Sequence, residues 1–135
     1  MIVGIGIDAV EVERFELWKT FSKEKLLKIF SEKEIEYCLE NSAKSAERFA
    51  ARFAAREAFF KAFCQMVPDH TVPFLTLCKL ATVQTNQKGV PQLVIDWPLL
   101  TEKLGISLNP RPKCWLSITH TDNQSTTMVI IEELN

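Results

Sequence analysis

Glu57 and Lys61 stand four residues apart in the run RFAARFAAREAFFKAF, Arg48 to Phe63, so a helix there carries a carboxylate and an ammonium one turn apart. On a solvated face such a pair would add only about 0.2–0.5 kcal/mol. The surroundings are not those of a solvated face, because Ala50, Ala54, Ala58 and Ala62 flank the pair. Small side chains let a backbone or a ligand approach closely. Asp8 is a second candidate. It ends a strand-like segment whose same-face neighbours, Gly4 and Gly6, lack side chains, and glycines inside a strand often mark a close approach. Asp8 then either holds a hard cation in that space or caps the element that follows. Should Asp8 and Glu57 meet, two carboxylates would suit Mg²⁺ completed by substrate phosphates better than an all-protein cage. His120 closes the segment Leu116-Ser117-Ile118-Thr119-His120, beside the hydroxyls of Ser117, Thr119 and Thr121. A histidine there is a structural residue or a proton acceptor in a polar cleft. His70 has no comparable company.

The elements that must position these groups can be read in order. Ile2 to Val10 reads as a strand with Val3, Ile5, Ile7 and Ala9 on one face and Gly4, Gly6 and Asp8 on the other. A short helix is expected from Glu11 to Thr20 and another from Ser31, where Glu34 three residues on makes a capping box. The long helix through Arg48–Phe63 has no Gly or Pro and should stop near Pro68. On it Phe49, Phe53 and Phe60 share a core stripe, and Arg48, Arg52 and Arg56 form a basic ridge beside it. Phe74 to Thr85 reads as β-rich, Asn86-Gln87-Lys88-Gly89 as a turn, and Gln92 to Asp96 as the returning strand. Pro98 opens a helix over Trp97–Leu104 that Gly105 closes. Trp115–Thr119 and Thr126–Glu132 form a last antiparallel pair joined through Asp122-Asn123-Gln124. The expectation is α+β: one domain over residues 1–135, with an antiparallel sheet packed on a long central helix.

With 135 residues, 47% of them hydrophobic, and a net charge of −1, the chain can build a core and is not a general polyanion binder. Neither nucleic acid nor a membrane is expected as a partner. No apolar run has spanning length, and MIVGIGIDAV lacks the marks of a signal peptide. Cys38, Cys64, Cys78 and Cys114 show no ligand spacing and read as reduced thiols of a cytoplasmic protein. Charge is placed unevenly. Lys19, Lys23, Lys25 and Lys28 lie together ahead of Glu32, Glu34, Glu36 and Glu40, a local basic patch suited to an acidic partner. Gly4-x-Gly6-x-x-Ala9 matches a loose dinucleotide fingerprint, but too little chain precedes Gly4 for the required strand, and Asp8 would stand among the phosphates. That fingerprint is rejected.

Taken together, the segments resemble the holo-acyl-carrier-protein synthases, the small bacterial 4′-phosphopantetheinyl transferases. The resemblance runs through Gly4-Ile5-Gly6-Ile7-Asp8 to Glu11 and Arg14, then Ile29-Phe30-Ser31 with Glu34. It continues with Arg52-Phe53-Ala54-Ala55-Arg56-Glu57-Ala58, Lys61-Ala62, Gly89-x-Pro91 and Ser117-Ile118-Thr119-His120-Thr121. It implies transfer of 4′-phosphopantetheine from coenzyme A to a serine of an apo acyl carrier protein, releasing adenosine 3′,5′-bisphosphate, a step of fatty acid biosynthesis. It places the Mg²⁺ carboxylates on Asp8 and Glu57, a diphosphate-contacting lysine on Lys61 and a proton acceptor on His120. The base is then His120 or a metal-bound water. Coenzyme A contacts are implied for Arg52, Lys61, Lys88, Gly89, Pro91, Thr119 and His120. Docking of the acidic carrier protein is implied for Arg14, Lys19, Lys25 and Lys28, and a homotrimer with its sites at subunit boundaries is expected.

Several positions depart from that pattern. Arg56 stands where lysine is usual, Cys64 where glycine is common, and Gln65-Met66-Val67-Pro68-Asp69-His70 replaces a glycine-rich loop. Val90 replaces a lysine that Lys88 can supply, and Ser125-Thr126-Thr127 replaces an alanine-rich stretch. Two rival readings keep the same residues: a silent carrier-protein-binding module, and a Mg²⁺-dependent nucleotide diphosphate hydrolase.

Overall fold

Gly4 and Gly6 let the first strand lie directly on the backbone of the long helix, and the other elements are arranged around that contact. A β-carbon added at Gly4 would fall onto the carbonyl of Ala62, and one at Gly6 onto the carbonyl of Ala58. In a computed structural model covering residues 1–135, the chain runs β1 (Ile2–Glu11), α1 (Lys23–Leu26), α2 (Glu32–Glu40), α3 (Ser45–Met66) and α4 (Phe74–Leu80). It continues through β2 (Ala81–Thr85), β3 (Pro91–Ile95), α5 (Trp97–Leu104), β4 (Lys113–His120) and β5 (Gln124–Glu132). The strands form a three-stranded antiparallel sheet in the order β1-β5-β4, and a separate β2–β3 hairpin.

Register settles which residues share a face. Asp8 pairs with Thr127 and Thr127 with Ile118, while Val10 pairs with Ser125 and Ser125 with His120. The inner face, toward α3, therefore carries Gly4, Gly6, Asp8 and Val10 of β1, alternate residues from Ser125 to Ile131 of β5, and Cys114 to His120 of β4. The outer face carries Ile5, Ile7, Trp115 and Met128, all exposed in the single chain. The glycine side, with least apolar surface, is thus the buried side, because a helix backbone fills the space that side chains would otherwise take.

α3 is buried nearly all round. One flank packs Phe59 and Phe63 against Trp97, Leu100, Val129 and Ile131. Nearer its N-terminus the helix packs Phe49 and Phe53 against Phe15, Leu26, Phe30 and Ile35. Each fully buried phenylalanine contributes about 1.5–3 kcal/mol, so the helix is held by tertiary packing more than by propensity. Phe49 and Phe53 belong to the core as expected, whereas Phe60 is only partly buried and packs at the edge of the larger cluster.

Three local expectations need correction. The segment after β1 makes two 3₁₀ turns, Val12–Phe15 and Trp18–Thr20, instead of one helix over Glu11–Thr20. Val12 and Phe15, the buried residues of the first turn, stand three apart, the spacing that a 3₁₀ turn aligns. Phe74–Leu80 is helical, and strand begins only at Ala81, because Leu77, Cys78 and Leu80 bury at helical spacing. The basic ridge does not exist as such: Arg56 is only 1% exposed and Arg52 8%. Arg56 instead binds Glu34 bidentately, Nη1 to Oε2 at 2.8 Å and Nη2 to Oε1 at 2.5 Å, and donates to the carbonyls of Cys78 and Ala81. Glu34 completes the capping box with Ser31 and also accepts from the amide of Val83. Burial pushes the Glu34 carboxyl up, but Arg56 and the Ser31 and Val83 amides outweigh it and hold the group below its ordinary value.

Candidate functional site

The close seat of β1 on α3 brings Asp8 beside the helix turn that carries Glu57 and Lys61. Lys61 Nζ donates to Asp8 Oδ1 at 3.2 Å and to the Ile7 carbonyl at 2.9 Å. The Asp8 side chain is 15% exposed, and its second oxygen, Oδ2, is buried without a hydrogen-bond partner. Glu57 makes no ion pair with Lys61, which has turned to the strand. Burial raises the Glu57 carboxyl above its ordinary value and the Asp8 charge raises it further, against the opposing pull of Lys61 and Arg14. The three residues singled out first thus share one patch, bordered by Arg14.

Two carboxylates close together, one with an orphaned oxygen and the other held above its usual range by burial and by its neighbour's charge, can accept a hard cation. The donor set is all oxygen and has only two protein ligands, since no group of three or more His, Cys, Asp or Glu side chains converges. Such a set suits Mg²⁺, which keeps waters and takes phosphate oxygens.

A second group of candidates gathers in a different place. Arg52, Gly89, Pro91 and His120 line one cleft of about 240 Å³ together with Tyr37, Glu47 and Arg48. His120 Nδ1 lies 3.0 Å from Glu47 Oε1. The guanidinium carbons of Arg48 and Arg52 lie 4.0 and 4.3 Å from the Tyr37 ring centroid, so the ring is shared between two cations. Gly89 (φ 79°) closes the hairpin turn, in which Asn86 Oδ1 accepts the amides of Lys88 and Val90. A non-glycine residue would be strained at that φ.

The two groups do not meet within one chain. Asp8 is on β1, at one edge of the sheet, and His120 on β4, at the other, with β5 between them. Glu57 and Lys61 leave α3 on the β1 side, while Arg48 and Arg52 leave it toward the cleft. Thr119 points away from His120, on the outer sheet face, because neighbouring strand residues alternate. Ser117 shares that outer face, and Thr121 is used in the turn after β4, where its hydroxyl accepts the amides of Asn123 and Gln124. The polar cleft beside His120 is built from residues of α2, α3 and the β2–β3 hairpin instead of these hydroxyls.

Of the basic residues, Arg14 is exposed, with its guanidinium carbon 5.0 Å from the Phe53 ring centroid. Lys19 donates to Ser42 Oγ at 3.0 Å and Lys25 lies 3.9 Å from the Phe21 ring centroid, leaving their charge at the surface. Lys28 is exposed as well. Lys23 is engaged by Glu32 at 2.7 Å. Sequence reasoning missed Tyr37 and Glu47 altogether. It had Arg48 only as part of a ridge, although its four-residue step from Arg52 already placed both on one flank.

A sequence profile of the 4′-phosphopantetheinyl transferase superfamily matches residues 4–128 of this chain. The holo-(acyl-carrier-protein) synthase of Treponema denticola is 36% identical over 135 residues, covering 98% of this chain and 99% of that protein. That of Geobacter sp. strain M21 is 33% identical with the same coverage. Among solved structures, the holo-(acyl-carrier-protein) synthase of Bacillus anthracis in complex with coenzyme A (3′,5′-ADP) aligns with a TM-score of 0.73 at 26% identity, covering 99% of both chains. The acyl carrier protein synthase of Mycobacterium tuberculosis shares the fold, with a TM-score of 0.70 at 23% identity over 99% of this chain and 100% of that one.

Proposed function

The chain belongs to the 4′-phosphopantetheinyl transferase superfamily, and on that premise we propose that it moves 4′-phosphopantetheine from coenzyme A to a serine of an apo acyl carrier protein. The whole chain, residues 1–135, acts as one transferase domain. The observation that carries the reading is the meeting of Asp8, Glu57 and Lys61 at one patch, two carboxylates and an ammonium drawn from distant segments.

In the reaction the serine hydroxyl oxygen forms a bond to the phosphorus that bears pantetheine. The bond from that phosphorus to the bridging oxygen breaks, and adenosine 3′,5′-bisphosphate leaves with the electron pair. Asp8 and Glu57 would hold Mg²⁺, which when bound supplies charge neutralisation at the diphosphate. Lys61 swings from Asp8 to the phosphate oxygens and adds a positive charge there. The serine proton goes to His120 or to a water held by a carboxylate. With Nδ1 facing Glu47, His120 keeps Nε2 as the nitrogen free to accept it. Arg52, Gly89, Pro91 and His120, with Lys88 at the turn, would hold the nucleotide end, and Thr119 would contribute from a neighbouring copy.

Separation of the two groups across the sheet supports a homotrimer in which one chain lends the carboxylates and the next lends the His120 cleft. The exposed outer-face residues Ile5, Ile7, Trp115 and Met128 supply apolar surface for such contacts. Arg14, Lys19, Lys25 and Lys28 would steer the acidic carrier protein toward the Glu57 side. No helix is long and apolar enough to cross a membrane, and the four free thiols support a reducing, cytoplasmic setting.

Incubation with coenzyme A, Mg²⁺ and an apo acyl carrier protein tests the reading by mass spectrometry. A gain of one phosphopantetheine on the carrier is expected. Binding without modification would leave the silent module, and adenosine bisphosphate released without any carrier would leave the hydrolase.

A further inference from the structure

Two residues paired across the sheet each carry a buried polar atom without a partner. Asp8 Oδ2 is one and Thr127 Oγ1 is the other. Asp8 and Thr127 are register partners on the inner face, and Thr127 is 0% exposed. Directly paired residues hold their β-carbons about 4.5–5.5 Å apart, within reach of a hydroxyl and a carboxylate. The other ladder neighbour of Thr127 is Ile118, which offers no side-chain acceptor. On the helix above, the charged groups Glu57 and Lys61 lie on the Asp8 side of the row. Gly4 lies under Ala62 and Gly6 under Ala58, a step of two strand residues for each helical turn, which puts the Asp8–Thr127 row under Ala54 and its neighbours. Buried hydroxyls almost always find a partner, and the polar side chain that the ladder sets beside this one is Asp8. Lys61 already occupies Oδ1, so Oδ2 is the oxygen left for it.

We propose that Thr127 is a positioning residue for Asp8: its hydroxyl donates to Oδ2 and fixes the plane of the carboxylate that, with Glu57, receives the divalent cation. The link is made by rotation about the Thr127 Cα–Cβ bond or through one bridging water, and either route needs the hydroxyl. A carboxylate hydrogen-bonded in this way is already oriented, so it loses less freedom when the cation arrives. The inference rests on the cation reading of Asp8 given above. Ser125 supplies an internal control. It is equally buried and its hydroxyl is equally without a partner, but it stands beside Val10 and His120, away from Asp8.

The test compares Mn²⁺ affinity by electron paramagnetic resonance, with Mn²⁺ alone as probe, and thermal midpoint in the absence of divalent ions. Thr127→Val keeps the shape and removes the hydroxyl. It should weaken Mn²⁺ binding about tenfold, as loss of groups that orient a metal ligand does, and lower the midpoint, because Oδ2 loses its donor. Thr127→Ser should restore both, and Ser125→Ala should leave the Mn²⁺ affinity unchanged. A Thr127→Val protein with wild-type affinity and a raised midpoint would overturn the proposal, since the hydroxyl would then be an unpaired core group. Asp8→Ala separates this failure from the larger one. Wild-type Mn²⁺ affinity in that variant would remove the cation reading itself, whatever Thr127 does.

Discussion

Lys61 reaches across from α3 to Asp8, with Nζ 3.2 Å from Oδ1, and leaves Glu57, one turn earlier on the same helix, without an ionic partner. The intrahelical pair suggested by spacing is thereby replaced by an interelement contact that ties the strand to the helix. Glu57 is left facing a neighbouring carboxylate and is held above its ordinary pKa by burial and by that charge.

Removing either carboxylate should stop transfer while the fold survives. Asp8→Ala or Glu57→Ala should lower kcat/KM about 10³-fold, the scale of several kcal/mol of lost charge stabilisation. Glu57→Gln should do the same and also raise the thermal midpoint of the cation-free protein. Because the folded pKa of Glu57 is raised, its charge opposes folding as pH climbs through the ordinary carboxylate value and above it. The stability gained by Glu57→Gln should therefore appear above about pH 4.3, the ordinary glutamate value, and vanish below it. Near-normal turnover in either alanine variant would remove these residues from the site.

Mixing two inactive variants should restore activity if neighbouring copies complete each site. Asp8→Ala alone and Arg52→Ala with His120→Ala are each expected to be inactive as homotrimers. After co-refolding in equal amounts, about a quarter of the boundaries in a cyclic trimer would join an intact carboxylate side to an intact cleft. Transfer assays on the mixture should recover a comparable fraction. No recovery from a mixture that demonstrably forms mixed trimers would mean that one chain supplies both groups.

Glu34 and Arg56 form a buried ion pair whose loss should be felt in stability before activity. Arg56→Ala leaves a buried carboxylate unpaired and should cost about 3–5 kcal/mol. In the wild type the Glu34 pKa is depressed, so its contribution is present above the ordinary carboxylate value and is lost as pH falls through the folded-state pKa. Denaturant melts at pH 7 and in the acid range should show a stability difference between wild type and Glu34→Gln that shrinks as pH falls below about 4.3. A difference that stays constant across that window would contradict the assignment.

Gly6→Ala tests the contact that brings Asp8 to the helix. The added carbon would meet the Ala58 carbonyl, a backbone atom that cannot step aside. A loss of about 1–3 kcal/mol or more is expected, the usual cost of overpacking. Activity should fall further than stability alone explains, because β1 must lift away from Glu57 and Lys61. A midpoint unchanged by the substitution would show that the close approach is not maintained in solution.

Arg14 and the surface lysines should act on encounter with the carrier protein. Arg14→Ala or Lys25→Glu should raise KM for the carrier about tenfold at low salt with little change in KM for coenzyme A. Raising ionic strength should shrink the difference, since exposed charges are screened over about 8–10 Å. An effect independent of salt would point to packing of Arg14 on Phe53 instead.

Features that depend only on near neighbours are legible in the chain's local order. The capping box at Ser31 and Glu34, the helix ended by Gly105, the turn at Asn86–Gly89 and the long helix are all decided within a few residues. The same is true of the pairing of glycines with Asp8 on one strand face. Tertiary structure alone decided where those faces go. β1 pairs with β5 from the other end of the chain, so neither the Asp8–Lys61 contact nor the Asp8–Thr127 row could follow from spacing. Periodicity grouped Arg52 with Arg56, yet only packing could reveal that Glu34, twenty-two residues away, takes Arg56 into the interior. Periodicity does not single out Phe59 and Phe63 for a related reason: α3 is enclosed on several sides, and a helix buried all round has no single apolar stripe. His120 and the carboxylates stand on opposite edges of one sheet because β5 separates their strands. Pairing order is set by long-range contacts, which the local chain does not encode.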